Sequence, residues 1–86
     1  MQKKRASKVT TMLAAGYAWK KLPNDVEWHA TKDDLNYVIK KVSDRSYDWT
    51  VTSLDGKEII TSGSTLGYAF WDAADDIKKI MSESLI

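Results

Sequence analysis

The segment YDWTVTSLDGKEIITSG, residues 47–63, constrains this chain more than any other. Two runs rich in β-branched and aromatic residues flank Asp55-Gly56. That dipeptide suits a type I′ turn, in which both central residues take positive φ. Counting back from the turn pairs Ser53 with Glu58, Val51 with Ile60 and Trp49 with Ser62. Trp49, Val51 and Ile60 then share one face, the better candidate for a core. Thr50, Thr52, Ile59 and Thr61 share the other face, which tolerates solvent.

The chain next turns through residues 63–67 into a second strong pattern. Leu66, Phe70, Ala73, Ala74, Ile77, Ile80 and Met81 recur at helical spacing and form a stripe wide enough to cover a sheet face. Asp72, Asp75, Asp76 and Lys79 lie opposite. Ser64 or Thr65 is placed to cap this helix. Trp71 falls between the two stripes, beside Ala74 and Lys78, and is a boundary residue.

Upstream, the patterns compete. Over residues 31–42, Leu35, Val38, Ile39 and Val42 fit helical spacing, and Thr31 with Asp34 resembles a capping box. Tyr37, Val38, Ile39 and Val42 are strand formers, and "SDRS" follows as a turn. A strand is expected over residues 36–42. Residues 8–20 carry Val9, Met12, Leu13 and Gly16 at helical spacing, with Ser7 as a cap and Leu22-Pro23 as a stop. The same region also reads as strands "YAWKK" and "VEWHA" about an "LPND" turn. A short helix followed by a strand is the expectation adopted. The fold class expected is therefore α+β: an antiparallel sheet of three to four strands under a C-terminal amphipathic helix, a β-β-β-α unit with an extra N-terminal helix. Residues 1–7 are expected to form a flexible basic tail and residues 8–86 a single domain.

Composition limits what such a domain can do. At 86 residues it is near the lower end of independent folding. It has no cysteine, which removes disulfides, thiolate metal sites and thiol nucleophiles. That fits a reducing compartment, and the cytoplasm is the expected location. Four Trp, four Tyr and one Phe must supply much of the burial. No apolar run is long enough to span a bilayer. The basic opening and mildly apolar stretch after it are a weak match to a secretory signal, interrupted by Thr10, Thr11 and Gly16. The net charge of +1 hides a segregation. Residues 1–24 hold Lys3, Lys4, Arg5, Lys8, Lys20 and Lys21 and no acid; the remaining seven bases and twelve acids leave the rest at −5.

No set of residues spells out a reaction. His29 is the only histidine, and it sits between Trp28 and Ala30 in an expected strand without a thiol or a serine motif beside it. Asp72, Asp75 and Asp76 are oxygen ligands of the type a hard cation takes, but three acids on one helical face read as its solvated side. Asp33-Asp34 reads as turn chemistry. "SGSTLG" lacks the glycine spacing and lysine of a phosphate loop. Neither a metal, a cofactor nor an enzymatic activity is expected.

The rhythm W-x-V…DG…I…G…A…AA, over about residues 37–81, resembles in order the double-stranded RNA-binding domain and the plant-type and integrase-type three-strand DNA readers. The RNA-binding family places lysines where this chain has "STLGYAFWD". The DNA readers line their strands with arginine where this chain has Thr50, Thr52 and Thr61. The chain is assigned to neither.

The function expected is that of a small non-enzymatic regulator or inhibitor that binds another protein, of the kind found among accessory proteins of viruses and mobile elements. Trp19, Tyr68 and Trp71, with Asp72, Asp75 and Asp76, are the candidate partner-binding residues. The acids would steer a basic partner such as a nucleic-acid enzyme. The alternative is a DNA- or RNA-binding accessory protein that grips phosphates through Lys3, Lys4, Arg5, Lys8, Lys20 and Lys21. Exposed sheet edges also suit a homodimer.

Overall fold

The computed structural model describes residues 10–24 and 26–84. The expected tail and its bases Lys3, Lys4, Arg5 and Lys8 lie outside the described residues. Among the described residues six strands are followed by one helix: β1 (Thr10–Ala14), β2 (Tyr17–Lys21), β3 (Glu27–Lys32), β4 (Leu35–Ser43), β5 (Ser46–Ser53), β6 (Ile59–Leu66) and α1 (Phe70–Ser84). The strands form one antiparallel meander in the order β1-β2-β3-β4-β5-β6. The fold is α+β as expected, but the sheet has six strands rather than three to four.

The two extra strands come from the N-terminal segment. The expected helix over residues 8–20 is, over its described part, the hairpin β1–β2, closed by Ala15-Gly16 with Ala14 opposite Tyr17. Ala15 (φ 57°) and Gly16 (φ 85°) both take the left-handed conformation of a type I′ turn. Asp33 (φ 55°) and Asp34 (φ 65°) close β3–β4 in the same way. The Met12, Leu13 and Gly16 spacing therefore arises from alternation across a hairpin. Met12 packs against the core while Leu13 points away from it, 83% exposed. The strand expected over residues 36–42 is β4.

The β5–β6 hairpin departs from its expected turn and register. Only Gly56 (φ 75°) has positive φ, so Asp55-Gly56 is not a type I′ turn. The loop is longer, and Ser53 N–H donates to Glu58 O at its base. The Asp55 carboxylate closes it, accepting from Ser53 Oγ at 2.6 Å and Lys57 N at 3.0 Å. Thr52 faces Ile59, but Val51 faces Thr61, so the register slips by one at Ile60. This bulge turns Thr61, Gly63 and Thr65 toward the core side and leaves Ile60 45% exposed instead of buried. Trp49 consequently sits opposite Gly63, not Ser62. A Cβ on Gly63 would lie 2.6 Å from Trp49 Cζ2, so the indole occupies the space a side chain would need.

One face of the sheet carries the core. Tyr17, Trp19, Trp28, Tyr37, Ile39, Tyr47, Trp49 and Val51 are buried there. From α1, Phe70, Ala73, Ala74 and Ile77 meet them, with Ile80 and Met81 partly buried. The two alanines let the helix backbone approach the rings. Phe70 stacks on Trp28 (centroids 5.0 Å apart, planes 7° apart) and meets Trp19 edge-on at 6.2 Å. Aromatic rings each bury roughly 150–250 Å², which is how a chain without cysteine assembles a core at this size. Leu66 was expected in the helical stripe. It lies instead in β6 and is 82% exposed.

Candidate functional site

The exposed aromatic residues gather where β6 gives way to α1. Neither Ser64 nor Thr65 caps the helix, because both still belong to β6. Asp72 takes that role from inside the first turn: its Oδ2 accepts from Tyr68 N at 3.0 Å and Ala69 N at 3.3 Å. A carboxylate there also suits the positive end of the helix dipole. The result is a hydrogen-bonded corner over residues 67–71. Gly67 N–H donates to Arg45 O, tying the corner to the β4–β5 turn. That tie sets the Arg45 guanidinium 4.8 Å from the centre of the Tyr68 ring.

A groove of about 270 Å³ opens beside this corner. Trp28, Tyr47 and Phe70 form its floor, and Tyr68, Trp71, Lys21 and Lys41 its rim. Tyr68 is 75% exposed and Trp71 56% exposed. Trp71 meets Phe70 edge-on at 5.8 Å, so one side of its ring is anchored and the rest is in water. Lys21 Nζ lies 6.0 Å from the centre of the Trp28 ring. The Trp28 indole N–H is buried and has no acceptor among the described residues. Burial and the nearby Asp72 carboxylate push the Tyr47 phenol above its ordinary value.

The other expected partner-binding residues are placed differently. Trp19 is fully buried at the centre of the core, donating from Nε1 to Ala14 O at 3.1 Å, and cannot reach a partner. Its alternation with Tyr17 in a strand is the signal that could have shown this. Asp72 is committed to the helix start. Asp76 accepts from Thr65 Oγ1 at 2.6 Å, and the same hydroxyl oxygen accepts from Trp49 Nε1 at 3.0 Å. Of the three acids only Asp75 is exposed and outside such a network. Sequence reasoning missed Arg45 and Lys41: Arg45 joins the site through the bond from Gly67 N to its carbonyl, and Lys41 through its place opposite Tyr47 in the β4–β5 pair.

The uncovered face of the sheet carries a second depression, of about 500 Å³, lined by Lys20, His29, Thr31, Asn36 and Val38 among others. Thr31 and Asn36 serve each other there, while His29 Nε2 is buried without a hydrogen-bond partner among the described residues. Thr31 Oγ1 donates to Asn36 Oδ1 at 3.1 Å, and Asn36 Nδ2 donates to Leu54 O at 3.0 Å. His29 Nε2 lies 3.4 Å from Glu27 Oε1, and Lys40 Nζ lies 3.5 Å from Glu27 Oε2. Such half-exposed pairs contribute little. Lys20 and Lys21 are consecutive in β2 and so lie on opposite faces of the sheet. Among the described residues no three His, Cys, Asp or Glu gather as metal ligands, and no helix is long and apolar enough to cross a membrane.

The chain matches no family model, no curated protein and no solved structure.

Proposed function

We propose that the protein is a non-enzymatic binding protein that regulates or inhibits another protein by seating a segment of it in the Tyr68–Trp71 groove. One observation carries this reading: an exposed Trp71 and Tyr68, with Arg45 stacked on the tyrosine, stand at the rim of a groove floored by aromatic rings. Trp, Tyr and Arg are the residue types that dominate binding hot spots. About half of the Trp71 ring remains in water. Covering some 100 Å² of it contributes roughly 2–3 kcal/mol at about 25 cal/mol per Å². Lys41 and Arg45 bring positive charge to the rim. The partner segment that fits is therefore apolar or aromatic with acidic flanks, the reverse of the basic partner suggested by the acids of the last helix. A small accessory protein of a virus or mobile element would have this character.

Tagged wild type, Trp71→Ala, Tyr68→Ala and a control altered on the opposite face, Lys20→Ala, should be exposed to extract of the native cell and analysed by mass spectrometry. A protein held by wild type and Lys20→Ala but lost from both aromatic variants supports the reading. Equal capture by Trp71→Ala refutes it.

A second reading draws on the same rim. Lysines beside exposed rings also suit the phosphates and bases of single-stranded nucleic acid, where each stacked base contributes about 1–3 kcal/mol. Labelled DNA and RNA titrated at low and moderate salt separate the two. Binding that weakens steeply with salt and is lost on deleting residues 1–8 or in Trp71→Ala favours nucleic acid. No binding at low salt removes it.

A further inference from the structure

We propose that two copies of this chain associate through β6, edge to edge and antiparallel, about a two-fold axis near Gly63. β6 ends the strand order and pairs only with β5 among the described residues. Its outer edge offers a row of backbone N–H and C=O groups. Natural edges of this kind are blunted by lysine, proline, bulges or short length; the bulge in β6 lies at its Ile60 end and leaves residues 61–66 in regular register. β6 spans eight residues, IITSGSTL, with no charge and no proline.

The exposed apolar side chains of β6 are placed for self-pairing in particular. Ile59 (66% exposed) and Ile60 (45%) stand at one end, and Leu66 (82%) at the other. A two-fold axis reverses the second copy, so Leu66 of each chain meets the Ile59–Ile60 end of its mate. The apolar contact is made twice, with Ser62 opposite Ser64 between them and no like charges in register. Two-fold interfaces need this self-complementarity, and an arbitrary foreign strand has no reason to match it.

Antiparallel pairing keeps residues that face each other on one side of the sheet. The strands of both copies thus form one continuous sheet with both helices on the same face. The two Tyr68–Trp71 corners fall at opposite ends, roughly 30 Å apart along the strands at about 3.3 Å per residue. If those grooves bind a partner, the dimer binds it bivalently; that consequence rests on the proposed function, but the dimer does not.

Sedimentation across a concentration series tests the pairing. Wild type should show a concentration-dependent monomer–dimer equilibrium. Leu66→Lys should weaken it by about tenfold or more, with circular dichroism and melting unchanged, because the side chain is already 82% exposed. Ile60→Glu should weaken it similarly. Mixing the two variants should restore association beyond either alone, since the two-fold sets the introduced lysine of one chain beside the introduced glutamate of the other. Trp71→Ala should dimerise as wild type, so failure of the groove and failure of the edge are read separately. The proposal is overturned by a wild type that stays monomeric to about millimolar concentration, by Leu66→Lys dimerising as wild type, or by mixed variants that associate no more tightly than each alone.

Discussion

Gly63→Ala tests the register of the sheet and the place of Trp49 together. The added Cβ would lie 2.6 Å from Cζ2, 3.0 Å from Cη2 and 3.1 Å from Cε2 of the Trp49 ring. Carbon atoms rest at roughly 3.5–4.0 Å, so the indole must move by nearly an ångström. It has little room to do so, being 3% exposed and held by its bond to Thr65. Overpacking of this kind costs about 1–3 kcal/mol, and stretching the indole hydrogen bond adds about 1 kcal/mol. Alanine recovers about 0.5–1 kcal/mol over glycine in a strand. The net loss is about 1–3 kcal/mol, a substantial part of the ~5 kcal/mol that a small domain possesses. The midpoint of thermal unfolding should fall by about 5–20 °C. Thermal melts followed by tryptophan fluorescence and circular dichroism measure it. Trp49→Leu then tests the cause: with a smaller side chain over residue 63, Gly63→Ala should cost much less, giving a positive coupling in a double-mutant cycle. An unchanged or raised melting point for Gly63→Ala in the wild-type background would refute the one-residue slip at Ile60, because without it Trp49 faces Ser62.

Thr65→Val keeps the shape of the side chain but removes the oxygen that accepts from Trp49 and donates to Asp76. It should cost about 1–3 kcal/mol in urea unfolding, whereas Thr65→Ser should retain most of the stability. Trp19→Ala and Trp71→Ala should behave oppositely: the first empties the core and costs about 3–5 kcal/mol, enough to unfold the chain, while the second should leave a cooperative melt close to wild type. Burial, then a hydrogen bond with Tyr17, raises the Tyr37 phenol well above its ordinary value of 10.0. The folded state therefore holds this proton after the unfolded state has released it, and stability present below about pH 10 should decline as pH rises above it. Urea midpoints measured from about pH 8 to about pH 11, a range that brackets the free phenol, should show that decline, and it should be shallower in Tyr37→Phe.

Some of this protein is written in local pattern. Tyr47, Trp49 and Val51 alternate, and Phe70, Ala73, Ala74 and Ile77 recur at helical spacing. Each periodicity points one face inward whatever surrounds it, and the β5 strand and α1 follow from that alone. A tertiary context was needed wherever two periodicities fit the same residues. Met12, Leu13 and Gly16 satisfy a helix and a hairpin equally, and the burial of Tyr17 and Trp19 against α1, far away in the chain, decides for the hairpin. The bulge at Ile60 is likewise invisible in composition. It is selected because it sets a glycine under the Trp49 ring and a threonine hydroxyl between that indole and Asp76. Registers depend on what fills the space across the sheet, and no window of neighbouring residues contains that information. The same reason divides the site. Tyr68 and Trp71 announce themselves as aromatics at the start of a helix, but Arg45 reaches them only through the bond from Gly67 back to its turn, and Trp19 is withdrawn by strands on both sides.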